Sequence, residues 1–280
     1  MADNRREAQP APPLPTPLPV AVADSHTHLD MQDGSVEEAL AKAASVGVTT
    51  VVQIGCDLDR ARWAVKVAAE HEAVWAAVAL HPNEAARLAL EEGPDALAAA
   101  IDGIAELAAL PQVKAVGETG LDYFRTGPEG VDAQQESFRR HIRLAKELDR
   151  ALVIHDRDAH GDVLRLLAEE GAPERTVFHC FSGDAGLARR CAERGYFMSF
   201  AGNVTFKNAQ PLRDALIAAP PELLLVETDA PFLTPSPYRG RPNAPYLVPV
   251  TLRAMADTKG MPVDELAAHV AANTARAFSY

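Results

Sequence analysis

Cysteine is scarce. The chain has three, Cys56, Cys180 and Cys191, among 280 residues. An odd number without framework spacing excludes a disulfide scaffold and points to a reduced, cytoplasmic compartment. Positive charge is also in deficit. Lys and Arg number 27 against 39 Asp and Glu, a formal net charge of -12. That excludes a basic scaffold of the kind that coats nucleic acid, so any polyanion must be gripped locally, by metals and a few arginines. The same charge favours a monomer. No apolar run approaches the roughly 20 residues of a membrane span. Arg5-Arg6 has the look of a twin-arginine export signal, but prolines follow it instead of an apolar segment, and that reading is rejected.

What is present is enough apolar material for a full core, 48% of residues. The first part of the chain, residues 1–20, is proline-rich and aperiodic, an extended or disordered tail. From 21 to 280 there is no compositional break, which predicts one domain. Apolar, β-branched-rich runs occur at Ala21–His28, Thr49–Ile54, Val74–Leu80, Val113–Gly117, Leu152–His155, Thr176–His179, Tyr196–Phe200 and Leu223–Glu227. Alanine-rich segments of helical period lie between them. The first has a capping box, Ser35 with Glu38, and Gly47 as its stop. Others cover Asp59–His71, Asp95–Ala109, Asp132–Asp149, Asp158–Glu170, Asp184–Arg194 and Asn208–Ala219, with a helical region over Val248–Phe278. Eight such units predict a TIM-type (β/α)8 barrel. A doubly wound open sheet is the other reading; it usually carries a glycine-rich phosphate loop after the first strand, where this chain has histidines.

A barrel of this kind places chemistry at the C-terminal ends of its strands. The first strand ends in Asp24-Ser25-His26-Thr27-His28-Leu29-Asp30, whose alternation puts His26 and His28 on one face. Further strand ends bring His81, Glu118, His155, His179 and Asp229. Five of nine histidines thus fall on one rim; His71, His141, His160 and His269 sit on or near helices and are read as structural or surface residues. The donor count fits two divalent metals: His26, His28 and Asp229 on one, His155 and His179 on the other, with Glu118 bridging. Two ions roughly 3.5–4 Å apart that share a carboxylate and a water form a hydrolytic site. Asp229 is placed to take the proton of the attacking water, and Glu118 and Asp229 are therefore the catalytic candidates. Glu227, two residues before Asp229, either hydrogen-bonds a ligand or helps hold an additional ion.

These strings together resemble the TatD family of metal-dependent hydrolases, within the amidohydrolase-like metallo-barrels. The resemblance runs over roughly residues 22–280: DSHTHLD at 24–30, HP at 81–82, GETGLDYF at 117–124, IHDRDA at 154–159, FHCFSG at 178–183, ETDAPFLTP at 227–235 and RGRPNAP at 239–245. It implies a metallo-dependent hydrolase barrel and a divalent-metal site with His26, His28, Glu118, His155, His179 and Asp229 as ligands; the imidazole and oxygen donors admit zinc, magnesium or manganese. It also implies deoxyribonuclease activity, commonly 3′→5′ on single-stranded DNA. His81, Arg157, Arg239 and Arg241 become substrate contacts under that resemblance. For Arg239 and Arg241 an exposed, proline-stiffened loop is the competing reading. Asp122 either orients a ligand histidine or caps a helix. Asp156 and His141 depart from the family pattern, and Asp156 adds negative charge near the phosphate path.

Two other functions stay in view. One is a metallohydrolase of amides or esters, such as an aminoacyl-tRNA deacylase; the usual bridge there is a carboxylated lysine on the fourth strand, where Lys114 stands too early. The other is a metal-binding barrel without activity.

Overall fold

The strands of this chain are apolar on both faces, so each needs cover on both. The computed structural model, which describes residues 9–280, supplies it with eight parallel strands ringed by helices. The first half runs β1 (Val22–Thr27), α1 (Val36–Ser45), β2 (Val48–Gly55), α2 (Leu58–Glu70), β3 (Val74–Val78), α3 (Pro82–Glu91), α4 (Pro94–Ala108) and β4 (Val113–Asp122). The second runs α5 (Val131–Glu147), β5 (Ala151–Arg157), α6 (His160–Glu170), β6 (Thr176–Phe178), α7 (Ala185–Ala192), β7 (Phe197–Phe200), α8 (Gln210–Ala218), β8 (Leu224–Val226), α9 (Val248–Lys259) and α10 (Val263–Phe278). Strands pair in chain order. The seam between β1 and β8 closes through exit residues. Ser25 Oγ donates to Val226 O at 3.0 Å, Asp229 N to His26 O at 3.0 Å and His28 N to Ala230 O at 2.9 Å. The expected (β/α)8 barrel is the fold, and the open sheet is set aside.

The core has two layers. Inside the barrel, Val52, Ile54, Ala77, Val153, Val177 and Leu225 pack with Phe278 from α10. A larger layer fills the space between strands and helices. Helix α1 starts as its sequence indicates, with Ser35 Oγ accepting from Glu38 N at 3.2 Å. Gly47 follows its end at φ +87°, a conformation that costs a side-chain-bearing residue far more.

Three features depart from the sequence reading. Strand β4 runs on to Asp122 rather than ending at Gly117, and β5 runs with it, Asp122 opposite Arg157. A helix, α3, follows His81 directly; Pro82 occupies its first turn and His81 Nδ1 accepts from Asn83 N at 3.1 Å. The C-terminal helical region is two helices, parted at Gly260 and Pro262.

The tail from residue 9 lies along the barrel in extended form. Leu18 is buried, and its N donates to Val46 O at 3.0 Å. Tyr246 Oη donates to Pro12 O at 2.8 Å, and Arg253 Nη2 to Thr16 O and Pro17 O at 2.8 and 3.0 Å. Arg5 and Arg6 lie outside the described residues. Among the described residues no helix is long and apolar enough to cross a membrane.

Candidate metal centre

Strand exits deliver every donor. His26 is on β1 and His28 just beyond it; Glu118 is on β4, His155 on β5, His179 after β6 and Asp229 after β8. The long β4–β5 pairing depends on Gly120. Its φ is +138°, and a Cβ there would lie 2.1 Å from the carbonyl oxygen of His155. Only glycine lets the two strands stay this close while they carry Glu118 and His155 to one point.

Glu118 is the hub. Its Oε1 lies 2.7 Å from His155 Nδ1, 3.1 Å from His179 Nε2 and 3.4 Å from His81 Nε2; its Oε2 lies 3.4 Å from His26 Nε2. Asp229 Oδ1 stands 3.6 Å from His28 Nε2 and 3.8 Å from His26 Nε2. The rings of His26 and His179 stack at 3.8 Å. Three donor groups result: His26, His28 and Glu118; His26, His179 and Asp229; and His81, Glu118 and His155. The six expected ligands therefore meet. Their grouping differs from expectation, since His179 clusters with His26 and Asp229, while His155 clusters with His81.

The donor chemistry suits a divalent ion. Both ring nitrogens of His26 and the Nδ1 of His28 are buried without a hydrogen-bond partner among the described residues. Such atoms are costly in a protein interior unless something binds them. A cation against imidazole lone pairs and carboxylates resolves that cost.

The carboxylates favour their anionic form, and against burial they raise the pKa of His28, His155 and His179. Burial alone would raise the pKa of Glu118, but His179, His81 and His155 hold its carboxyl well below the usual range. Burial likewise works against the Asp229 anion, and His28, His179 and His26 overcome it, so its pKa is lowered. Burial drives the His26 pKa down, which keeps that ring neutral and able to ligate.

The supporting residues fall into place around these. His179 Nδ1 faces Glu227 Oε1 at 3.2 Å, so Glu227 hydrogen-bonds a candidate ligand, one of its two expected roles. Asp122 fills both of its proposed roles in part. One oxygen faces His155 Nε2 at 3.2 Å; the other accepts from Phe124 N and Arg125 N, capping a turn rather than a helix. His81 accepts at Nδ1 from the α3 backbone, so its neutral ring carries the proton on Nε2, which stands at the cavity wall 3.4 Å from Glu118 Oε1. That fits a substrate contact better than a ligand.

A cavity of about 520 Å³ opens over the cluster, lined among others by His28, His81, Arg125, Arg157 and Asp229. Arg157 Cζ lies over the Phe124 ring, 3.9 Å from its centroid. Arg239 and Arg241 are not on this wall; they lie over Phe206 and Tyr238, at 4.4 and 5.8 Å. Asp156 also lines the cavity, with one carboxylate oxygen 2.7 Å from His160 Nδ1.

Sequence reasoning missed two residues that shape the site. Asp24 is buried, accepts from Thr228 N at 2.9 Å and from the Thr228 hydroxyl, and its pKa is pushed by burial up to about 8. It ties β1 to the turn that carries Asp229. The alternation signals it, since it stands two residues before His26. Asn243 Nδ2 donates to Thr228 O at 2.9 Å and to Phe232 O, bracing the same turn, where Asp229 sits at φ +52°. Nothing in its spacing marks it.

A barrel with this donor set at its C-terminal rim defines a metal-dependent hydrolase. Comparison with known proteins narrows the class. The profile of the family described as TatD related DNase matches residues 23–279, and the chain belongs to that family. It is 43% identical over 260 residues to the metal-dependent hydrolase TatD of Mycobacterium tuberculosis, covering 90% of this chain and 96% of the relative. It is 33% identical over 249 residues to the 3′-5′ ssDNA/RNA exonuclease TatD of Citrobacter rodentium, covering 86% and 91%. The crystal structure of YJJV, a TatD homologue from Escherichia coli, superposes with a TM-score of 0.84 at 28% identity, covering 92% of this chain and 98% of the other.

Proposed function

We propose that this chain is a phosphodiesterase of nucleic acid that shortens single-stranded DNA from its 3′ end. The observation that carries the reading is the cavity wall. Arg125 and Arg157 open on the same space as Glu118 and Asp229, and neither makes an ion pair with a carboxylate among the described residues. Arginines elsewhere do: Arg87, Arg139, Arg143 and Arg165 are paired on the helices. In a chain of net charge -12, unpaired guanidinium groups beside a carboxylate-rich centre suit a phosphodiester. The exonuclease name of the Citrobacter relative supports the same substrate.

His26, His28, Glu118, His155, His179 and Asp229 would hold two divalent ions, zinc, manganese or magnesium, which would supply a Lewis acid and a water of lowered pKa. The chain's own groups do the rest. Arg157, held on Phe124, and Arg125 receive the non-bridging phosphate oxygens. His81 donates from Nε2. The Asp229 carboxylate faces the cavity and takes the proton of the attacking water. Glu118 stays anionic because three histidines surround it.

The amide-or-ester reading gains no observation. Lys114 Nζ lies over the Trp75 ring at 4.3 Å rather than in the donor cluster. The inactive-barrel reading sits poorly with a complete donor set.

The test is hydrolysis of labelled single-stranded DNA, duplex DNA, RNA and a small carboxylic ester with Mg, Mn and Zn in turn. The expected result is stepwise 3′ shortening of single strands. Cleavage of the ester alone would overturn the reading. Arg157→Ala should raise KM for the oligonucleotide about tenfold with kcat little changed, the usual loss of one charged hydrogen bond.

A further inference from the structure

A second cavity, about 570 Å³, opens beside the first on the same rim, between α7 and α8. The two share Ser182 and Asn203 as common wall. Its volume falls within the roughly 300–1,000 Å³ of small-molecule sites. His160, Arg190 and Phe206 line it, and Arg239, outside the lining, lies over the Phe206 ring at 4.4 Å. Neither arginine forms an ion pair among the described residues. The nearest carboxylate on this wall, Asp184, is turned to the Leu187 N–H at 2.8 Å as the cap of α7. In the shared wall, Asn203 Oδ1 is buried without a hydrogen-bond partner among the described residues, and its Nδ2 points to Cys180 Sγ at 3.8 Å.

We propose that this second cavity binds the nucleotides next along the strand whose terminal phosphodiester lies at the metal centre. The proposal rests on the nucleic-acid reading above. Each element of the wall answers one part of a nucleotide. Arg190 meets phosphate, and the Phe206 ring stacks a base, the sequence-tolerant hold of single-strand binders, with Arg239 resting on that ring outside the wall. The orphan Asn203 oxygen needs a donor, which a base N–H, the imide of thymine included, supplies. Continuity at Ser182 and Asn203 lets one strand occupy both cavities. Arg239 lines neither cavity and reaches this path only through the Phe206 ring that it covers.

The test compares thymidine dimers, trimers and tetramers. With metal-loaded enzyme, kcat/KM should rise about tenfold from dimer to tetramer, the worth of one stacked or charge-paired nucleotide. Arg190→Ala and Phe206→Leu should each remove that rise and leave dimer hydrolysis unchanged. Equal values for dimer and tetramer, or a rise that survives both substitutions, would overturn the proposal. Fluorescence anisotropy of labelled tetramer on metal-free protein separates it from the catalytic reading. If no oligonucleotide is cleaved with any metal, the phosphodiesterase reading falls. Tetramer binding that Arg190→Ala weakens would then still support the second site, and binding indifferent to Arg190→Ala would remove it.

Discussion

Glu227 and His141 show how single buried side chains set the working state of the rim. Glu227 is fully buried; its Oε1 faces His179 Nδ1 at 3.2 Å and accepts from Cys180 N at 2.9 Å. A proton kept on Nδ1 leaves Nε2 to face the donor cluster. Glu227→Gln should therefore weaken metal affinity by about 10–100-fold, the usual effect of removing such a partner. Metal titration by calorimetry reads this, and unchanged affinity would show that Glu227 does not orient the ring. His141 is buried on α5, where Nδ1 lies 2.7 Å from Ser137 O and Nε2 accepts from Leu80 N at 3.2 Å. Burial lowers its pKa from 6.5 to about 4. The folded state keeps it neutral while the unfolded chain protonates it, so its contribution is complete above pH 6.5 and is lost as pH falls toward 4. Between pH 7 and pH 4.5 the wild type should lose about 2–3 kcal/mol more than His141→Gln in urea unfolding. Equal losses would show that His141 does not carry the acid sensitivity. The six donors were legible because each ends an apolar run. Asp24 stood in the same alternating row, but its role went unread, since its partners, the amide and hydroxyl of Thr228, lie 204 residues away. His141 was legible only as structural; its bond to the backbone beside His81 is a tertiary fact.

At the scale of elements, eight strands were visible because doubly covered strands are continuous apolar runs between turn signals. Their ends were less so. Strand β4 continues past Gly117 through a segment that carries Glu118 and Asp122 to the donor cluster, and its polar residues hide its strand character. Helix α3 went unread because its cap is a histidine that also points into the cavity. The extended tail is the clearest case of structure with no local signal. A proline-rich segment has no periodicity, so its docking depends on distant partners: Val46, Tyr246 and Arg253. That docking makes a prediction. Tyr246→Phe removes one donor to Pro12 O and should cost about 0.5–1.5 kcal/mol. Limited proteolysis should then cut the tail faster than in wild type, with no change in metal content. A tail cut at the wild-type rate would show that this bond does not hold it.

For the molecule as a whole, the proposed function raises the question of how a strongly acidic protein would capture a polyanion. Repulsion from a net charge of -12 acts at long range, where salt screens it within about 10 Å at 0.1 M. Attraction at the rim is short-ranged and confined to a few guanidinium groups. Arg125 and Arg157 line the first cavity, Arg190 lines the second, and Arg239 stacks on its Phe206. If the three arginines that line the cavities are the phosphate contacts, log K for a single strand should fall with log salt with a slope of about -2, at roughly 0.7 per contact. Arg157→Ala should make the slope shallower by about 0.7, because one contact is gone. Arg87→Ala should leave it unchanged, because that side chain is paired to Glu84 and Glu91 on α3. The measurement is oligonucleotide anisotropy over a salt series at fixed pH. A slope near zero would mean that the arginines do not meet phosphate, and one several units steeper would require basic groups well beyond the two cavities. The intermediate slope is what local capture by a carboxylate-rich barrel demands.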